Sequence, residues 1–299
     1  MASRSPSRIL ALAVALALPC AVASGQQARV EVLHIGATGT LTGEADSQKE
    51  KGAVQTLRRF IKEATGFTND IAREKDWQQL VDRMKKGELQ VGVFQGYEFA
   101  WAQEKNPDVK PLALAVNGQR YPIAYVLAHR DNAATDFGGL KGQAICLPIT
   151  NQQFPRLFLE RQSEARGQKA DAFFSKITTP DHLEDALDDV VDRKLSAVVV
   201  DGAALEAYRR RKPSRAKQLK VVARSEPFPP AVVAYYGSTL DEATRRLLKD
   251  GLLGAAKKEK GEMLLTLCRL TGFDDVPADF PKVLAATRKT YPPPEAQAK

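Results

Sequence analysis

The chain has 299 residues, with 44 Lys and Arg against 36 Asp and Glu and a formal charge of +8. The excess is concentrated in Arg209-Arg210-Arg211-Lys212 with Arg215 and Lys217. No aromatic residues interleave with this run as stacking platforms, so it reads as a solvated helix end rather than a nucleic-acid interface.

The first 23 residues read as an export signal. Arg4 and Arg8 form a positive n-region, Ile9 to Leu18 is an apolar stretch too short to span a bilayer, and Ala21-Val22-Ala23 is a small-residue cleavage site. The mature chain is expected to start near Ser24 and to be long enough for two domains of common size. It keeps Cys146 and Cys268, which lie far apart in different elements. They could pair in an oxidising compartment, but two buried free thiols is the default expectation. There is no Cys-x-x-Cys, and His34, His129 and His182 lack metal-ligand spacing.

Val30 to Ile35 alternates apolar and polar residues and reads as a strand running into the Gly- and Thr-rich loop Gly36–Gly43. That loop is not a phosphate-binding Walker loop, because no Gly-Lys-Ser/Thr closes it. Ala53, Val54, Leu57, Phe60, Ile61 and Ala64 recur at helical spacing up to Gly66. Asp76 is placed to cap the next helix, with Gln79 three residues on and Trp77, Leu80, Val81 and Met84 as its buried stripe. Gln90 to Phe94 reads as a strand, and Gln95-Gly96-Tyr97-Glu98-Phe99 turns into a helix. Strands alternating with helices in this way predict a parallel sheet, whose ligands sit at the carboxyl ends of the strands.

Lys110–Val116 and Ile123–Ala128 read as strands separated by a Gly- and Pro-containing break. Ala144-Ile145-Cys146-Leu147 is a short buried-type strand ended by Pro148. Thr150, Asn151 and Gln152 follow, and Pro155 sits where the first turn of a helix tolerates proline. A strand feeding a polar loop into a helix N-terminus presents free N–H groups and a positive dipole end. Further on, strands are expected at Phe173–Ile177, Ala197–Val200, Leu219–Ala223 and Ala231–Tyr236, with helices over 181–193 and from Asp201-Gly202 to Arg210. The C-terminal part reads as helical over 239–258, 261–270 and 281–290.

Two α/β units joined by two strand crossings, with a helical C-terminus, describe a two-lobed α/β clamshell. At this level the chain resembles the phosphonate-binding family of periplasmic solute-binding proteins of ABC transporters, over about Val32 to Tyr291. The supporting pieces are Leu57–Gly66, Trp77–Ala102, Gly118–Tyr121 with Val126–Asp131, Phe137–Gly142, Asp188–Asp201 and Ser225–Val233. Their order and spacing, rather than any one piece, make the likeness.

The resemblance implies the type II periplasmic binding fold, two Rossmann-like lobes joined by a two-strand hinge. Lobe 1 would comprise residues 30–117 and 233–291, lobe 2 with the crossings 118–232, and 292–299 a disordered tail. It also implies a periplasmic location, a small-molecule ligand, an ABC-transporter permease as partner, a monomer, no cofactor and no catalysis. A ligand-sensing partner of a membrane receptor, or a secreted enzyme on the same fold, are the alternatives.

Family members that hold phosphonates carry a Ser-Thr-Ser-Gly loop where this chain has Thr150-Asn151-Gln152-Gln153, and a Gly-Pro-x-x-Tyr turn where it has Gln95–Phe99. Their His-Asp pair falls on Glu184-Asp185, and a glutamate there would repel a dianion. Their acid after the strand survives as Asp201. The expected ligand residues are Thr38, Thr40, Gln95, Tyr97, Tyr121, Thr150, Asn151, Gln152 and Asp201. Each loop position follows a strand, and Tyr121 opens the crossing segment. This set favours a small polar or zwitterionic solute over a phosphonate dianion, with a singly charged oxyanion still open.

Overall fold

A computed structural model describes Met1 and residues 32–43, 47–180, 182–237 and 239–294. The expected export signal beyond Met1 lies outside the described residues, as do Val30 and the chain from residue 295.

The described strands are β1 (Val32–Thr38), β2 (Thr68–Glu74), β3 (Val91–Phe94), β4 (Val109–Val116), β5 (Ala124–His129), β6 (Ala144–Cys146), β7 (Lys176–Thr178), β8 (Ala197–Asp201), β9 (Leu219–Arg224), β10 (Ala231–Tyr236) and β11 (Gly272–Asp274). The helices are α1 (Gln48–Thr65), α2 (Trp77–Lys85), α3 (Gly96–Lys105), α4 (Phe154–Glu164), α5 (Ala170–Phe173), α6 (Leu183–Val191), α7 (Gly202–Arg211), α8 (Pro213–Ala216), α9 (Glu242–Leu253), α10 (Glu259–Leu267) and α11 (Phe280–Thr290).

Two sheets result, in the orders β11-β4-β10-β3-β1-β2 and β7-β6-β8-β5-β9. The chain leaves the first sheet after β4, enters the second at β5, and returns between β9 and β10. The sheets are mixed rather than parallel. The crossover units β1, β2, β3 and β6, β7, β8 pair parallel, whereas β10 runs antiparallel to β3 and β4, and β5 to β8 and β9. A strand arriving from the other lobe enters without a crossover helix, so nothing forces it to run parallel.

Local chemistry sets the ends of the elements. Ser47 caps α1 by accepting the Glu50 amide at 3.0 Å, and Gly66, at φ +77°, ends it. Asp76 accepts the Gln79 amide at 2.8 Å, and Trp77, Leu80, Val81 and Met84 are the buried face of α2 as expected. β8 lies between two strands of its sheet, and all of Ala197–Val200 is buried. Further expectations about single elements need correction. β1 continues through Gly36 to Thr38, β2 and β11 are additional strands, and the stretch read as a strand from Phe173 is the short helix α5 followed by β7.

A buried aromatic strut runs behind the crossings. Phe154 of α4, Phe228 of the returning crossing and Tyr291 stack in sequence, with ring centroids 5.2 and 4.5 Å apart. The Tyr291 carbonyl accepts Trp101 Nε1 at 2.7 Å, and the Pro292 carbonyl accepts Arg161 Nη2 at 2.6 Å. Tyr291 and Pro292 therefore tie α3 of the first lobe to α4 of the second. Cys146 and Cys268 are both free and buried.

Candidate functional site

The lobes meet where the loops after β1, β3 and β6 face one another. The β1 loop turns at Gly39 and Gly43, at φ +76° and +98°, and a Cβ at Gly43 would lie 2.9 Å from the Thr150 carbonyl carbon of the opposite lobe. The donors of this loop were expected to face a ligand. They face Glu50 of α1 instead. The amides of Leu41 and Thr42 each donate to its carboxylate at 2.9 Å, and the Thr42 hydroxyl does so at 2.8 Å. Thr40 Oγ1 accepts the Gly43 amide at 2.9 Å. Thr38 is buried, and its hydroxyl donates to Glu98. Burial pushes the Glu98 carboxyl up, while the Thr38 hydroxyl and the Gln95 amide oppose the shift.

Gln95 caps α3 and spans the cleft. Its Nε2 donates to the Asn151 carbonyl at 2.9 Å, and its Oε1 accepts the Gln153 amide at 3.2 Å. The Asn151 side chain returns the contact, Nδ2 donating to the Cys268 carbonyl of the first lobe at 2.9 Å. The Thr150 hydroxyl donates to the Gln152 carbonyl at 2.7 Å. Gln152 Oε1 is buried and has no hydrogen-bond partner among the described residues. Gly96 is obligatory beside this junction, because a Cβ there would stand 1.9 Å from the Pro229 carbonyl oxygen of the returning crossing.

Next to the junction is a chamber of about 610 Å³ between the lobes. Thr150, Asn151, Gln152 and Asp201 line it, together with Arg210, Glu184 and Arg269. Asp201 caps α7, its carboxylate accepting the Ala204 amide at 2.7 Å. Burial raises the Asp201 carboxyl, against the pull of the Ala204 and Ala203 amides and of the Arg269 charge. Glu184 does line the chamber, but it is ion-paired with Arg211 at 2.6 Å and Lys212 at 2.8 Å. Those bonds hold its carboxyl below the usual range. Glu184 is therefore not the bare repulsive charge that its position beside a ligand implied.

Two cations of the chamber went unread in the sequence. Arg210 of α7 and Arg269, just past α10, are exposed, and neither guanidinium forms an ion pair or hydrogen bond among the described residues. Arg269 adopts φ +53°, a left-handed turn that ends α10. Arg210 sat inside the basic run read as solvated surface. The run is in fact split. Arg211, Lys212 and Arg215 pair with Glu184, Asp188 and Asp192, which leaves Arg210 toward the chamber.

The remaining expected residues divide. Gln95 and Tyr97 share with Gln152 and Asp201 a small recess of about 30 Å³ beside the chamber. Thr38 and Thr40 instead line the mouth of a second cavity that runs into the first lobe, with Gln95, Asn151 and Gln152. Tyr97 stacks edge-on against Trp101, ring centroids 5.0 Å apart. Tyr121 lines none of these spaces. Its hydroxyl donates to Asp279 at 2.8 Å and so fastens the crossing to the segment before α11. Among the described residues no cluster of three or more His, Cys, Asp or Glu could hold a metal, and no helix is long and apolar enough to cross a membrane.

A family model described as an ABC transporter, phosphonate, periplasmic substrate-binding protein matches residues 41–279. Among solved structures, a Xanthomonas citri protein bound to chloride is 16% identical, at a TM-score of 0.61, over 88% of this chain and 98% of its own. A phosphonate-binding protein of Prochlorococcus marinus, solved with methylphosphonate, is 14% identical at a TM-score of 0.58, over 87% of this chain and 97% of its own. A binding-protein component of a phosphonate transporter from Pseudomonas aeruginosa is 15% identical at a TM-score of 0.55, over 87% of each chain. At these identities the likeness is one of fold: a two-lobed binding protein. Among curated proteins, none matches the chain in sequence.

Proposed function

Because the chain belongs to the ABC-transporter phosphonate family of periplasmic substrate-binding proteins, we propose that it captures a small anionic solute between its lobes and presents it, as a monomer, to a transporter permease. The observation that carries the ligand class is the pair Arg210 and Arg269, which reach one chamber from opposite lobes, neither guanidinium held in an ion pair or hydrogen bond among the described residues. Two such cations on facing walls favour a solute that neutralises both. Gln152 and the second Nδ2 hydrogen of Asn151 supply neutral donors beside them. The pairing of Glu184 with Arg211 and Lys212 removes the objection to an anion that the sequence raised.

Capture without chemistry suits the same site. The Cys146 thiol is pushed up to about 11 and the Cys268 thiol to about 12 by burial, so neither supplies a thiolate nucleophile near neutral pH. Export to the periplasm follows the family and the n-region and cleavage pattern at Arg4 to Ala23.

A thermal-shift series on the mature protein tests the ligand class, using methylphosphonate, phosphate and a zwitterion of similar size. A solute present at a hundred times its dissociation constant adds about 2.7 kcal/mol of apparent stability. An anion should raise the melting temperature of the parent, and Arg269→Gln should reduce the shift. Stabilisation by the zwitterion alone, equal in parent and variant, would remove the anionic assignment.

A further inference from the structure

The cavity behind Thr38 and Thr40 has a different chemistry from the chamber. It occupies about 170 Å³ between one face of the first sheet and the helices α1, α9 and α10. Alternation along the strands builds that face. Ile35 and Ala37 of β1 pair in register with Val91 and Val93 of β3, Val93 pairs with Val233 of β10, and Ala231 pairs with Ala115 of β4. Three of these positions, Ala37, Ala115 and Ala231, carry only a methyl group, and the opposing side chains do not reach across. Val54 and Leu57 on the inward side of α1, and Val93 beneath them, stay incompletely buried although they point into the lobe. A well-packed interior leaves no void of this size. An apolar cavity of about 150 Å³ stays dry and takes up benzene.

The mouth is polar and is shared with the solute cleft. Gln95, Asn151 and Gln152 stand there, and Gln152 Oε1 is the buried acceptor without a partner among the described residues. Arg73 of the edge strand β2, in register with Ala37, is exposed, lines the cavity and has no ion pair among the described residues.

The geometry points to an amphiphilic solute. A compact apolar group, a single ring or a branched chain of five or six carbons, fills the first-lobe cavity. The polar head remains at the cleft and donates to Gln152 Oε1, with its negative charge in the chamber whose lining, Asn151 and Gln152 included, carries Arg210 and Arg269. This deepens the reading of the cleft as the solute site and rests on it for the head alone. The cavity itself depends only on packing.

Toluene, methylphosphonate and benzylphosphonate separate the two parts, titrated against the purified mature chain with melting temperature and calorimetry as readouts. Toluene alone should raise the melting temperature saturably. Benzylphosphonate should bind about tenfold or more tightly than methylphosphonate, the transfer of a ring out of water. Ala37→Leu fills the cavity from the sheet, and Ala115→Val does so from a second strand should the first variant not fold. In the folded variant toluene should have no effect, and the two phosphonates should bind within twofold of each other. No response of the parent to toluene, an equal response in a folded filled variant, or equal affinity of the two phosphonates for the parent would each overturn the inference. If toluene binds the parent and not the filled variant while neither phosphonate binds, the cavity stands and the anionic assignment of the cleft falls.

Discussion

Gln95 of the first lobe holds the loop of Asn151 in the second from both sides of its amide. Its Nε2 donates to the Asn151 carbonyl at 2.9 Å while its Oε1 accepts the Gln153 amide at 3.2 Å. The contact joins the end of a lobe 1 strand to the start of a lobe 2 helix, so it exists only when the lobes are together. Gln95→Ala should lose both bonds, each worth about 0.5–1.5 kcal/mol, and shift the lobes toward an open arrangement. Small-angle scattering of the ligand-free protein measures this as a larger radius of gyration than the parent's. An unchanged radius would mean that the aromatic strut at Phe228 and Tyr291 sets the lobe angle alone.

Glu50 should behave as an internal ligand of the β1 loop. With its carboxylate replaced in Glu50→Ala, the amides of Leu41 and Thr42 lose a charged acceptor, at a cost of roughly 1.5–3 kcal/mol. Hydrogen exchange at those two amides should speed up relative to the amides of β1. Unchanged protection there would show that the loop is held by other means.

Tyr121→Phe provides the contrast. It deletes the hydroxyl that donates to Asp279 and should cost about 0.5–1.5 kcal/mol of stability. Solute affinity should stay within twofold of the parent's, measured by calorimetry with methylphosphonate. A loss of tenfold would bring Tyr121 back to the ligand.

The charged network on α6–α8 sets an acid limit. Burial acts to raise the Asp188 carboxyl but is outweighed by Lys212, Tyr208 and Arg215, which bring it down to about 2 from an ordinary 3.8. A carboxyl depressed in the folded state stabilises fully above its unfolded value and loses that contribution as the pH falls through the folded one. The loss therefore falls between about pH 4 and pH 2 and amounts to on the order of 1 kcal/mol after solvent screening. Asp188→Asn should flatten the melting-temperature profile across that window. A profile identical to the parent's would remove Asp188 from the acid response.

Most of the framework was legible because it follows from periodicity and caps. The stripe Trp77, Leu80, Val81 and Met84 and the cap Asp76 are local patterns, and the structure keeps them. β2 was not legible. Its sequence TNDIARE is polar, as an edge strand can be, since only one neighbour and part of one face are covered. The pair Phe173-Phe174 carries strand propensity, yet Phe173 ends a helical turn, Phe174 follows it in extended backbone, and both rings pack with Phe137. At the site, the loops after β1, β3 and β6 were identified as the meeting edge, but the partners of their polar groups were not. That Glu50 meets the amides of Leu41 and Thr42, or that Arg269 swings to the chamber on a left-handed turn, depends on tertiary placement that no spacing encodes.

Arg210 and Arg269 are the proposed holders of an anion between the lobes. Titration calorimetry of methylphosphonate into the parent and into the Arg210→Gln, Arg269→Gln double variant tests this assignment most directly, at low and at physiological ionic strength. One site per chain is expected, with an affinity at least tenfold weaker in the double variant and a parent affinity that falls with salt more steeply than the variant's. Binding of equal strength and equal salt dependence in the two proteins would contradict it.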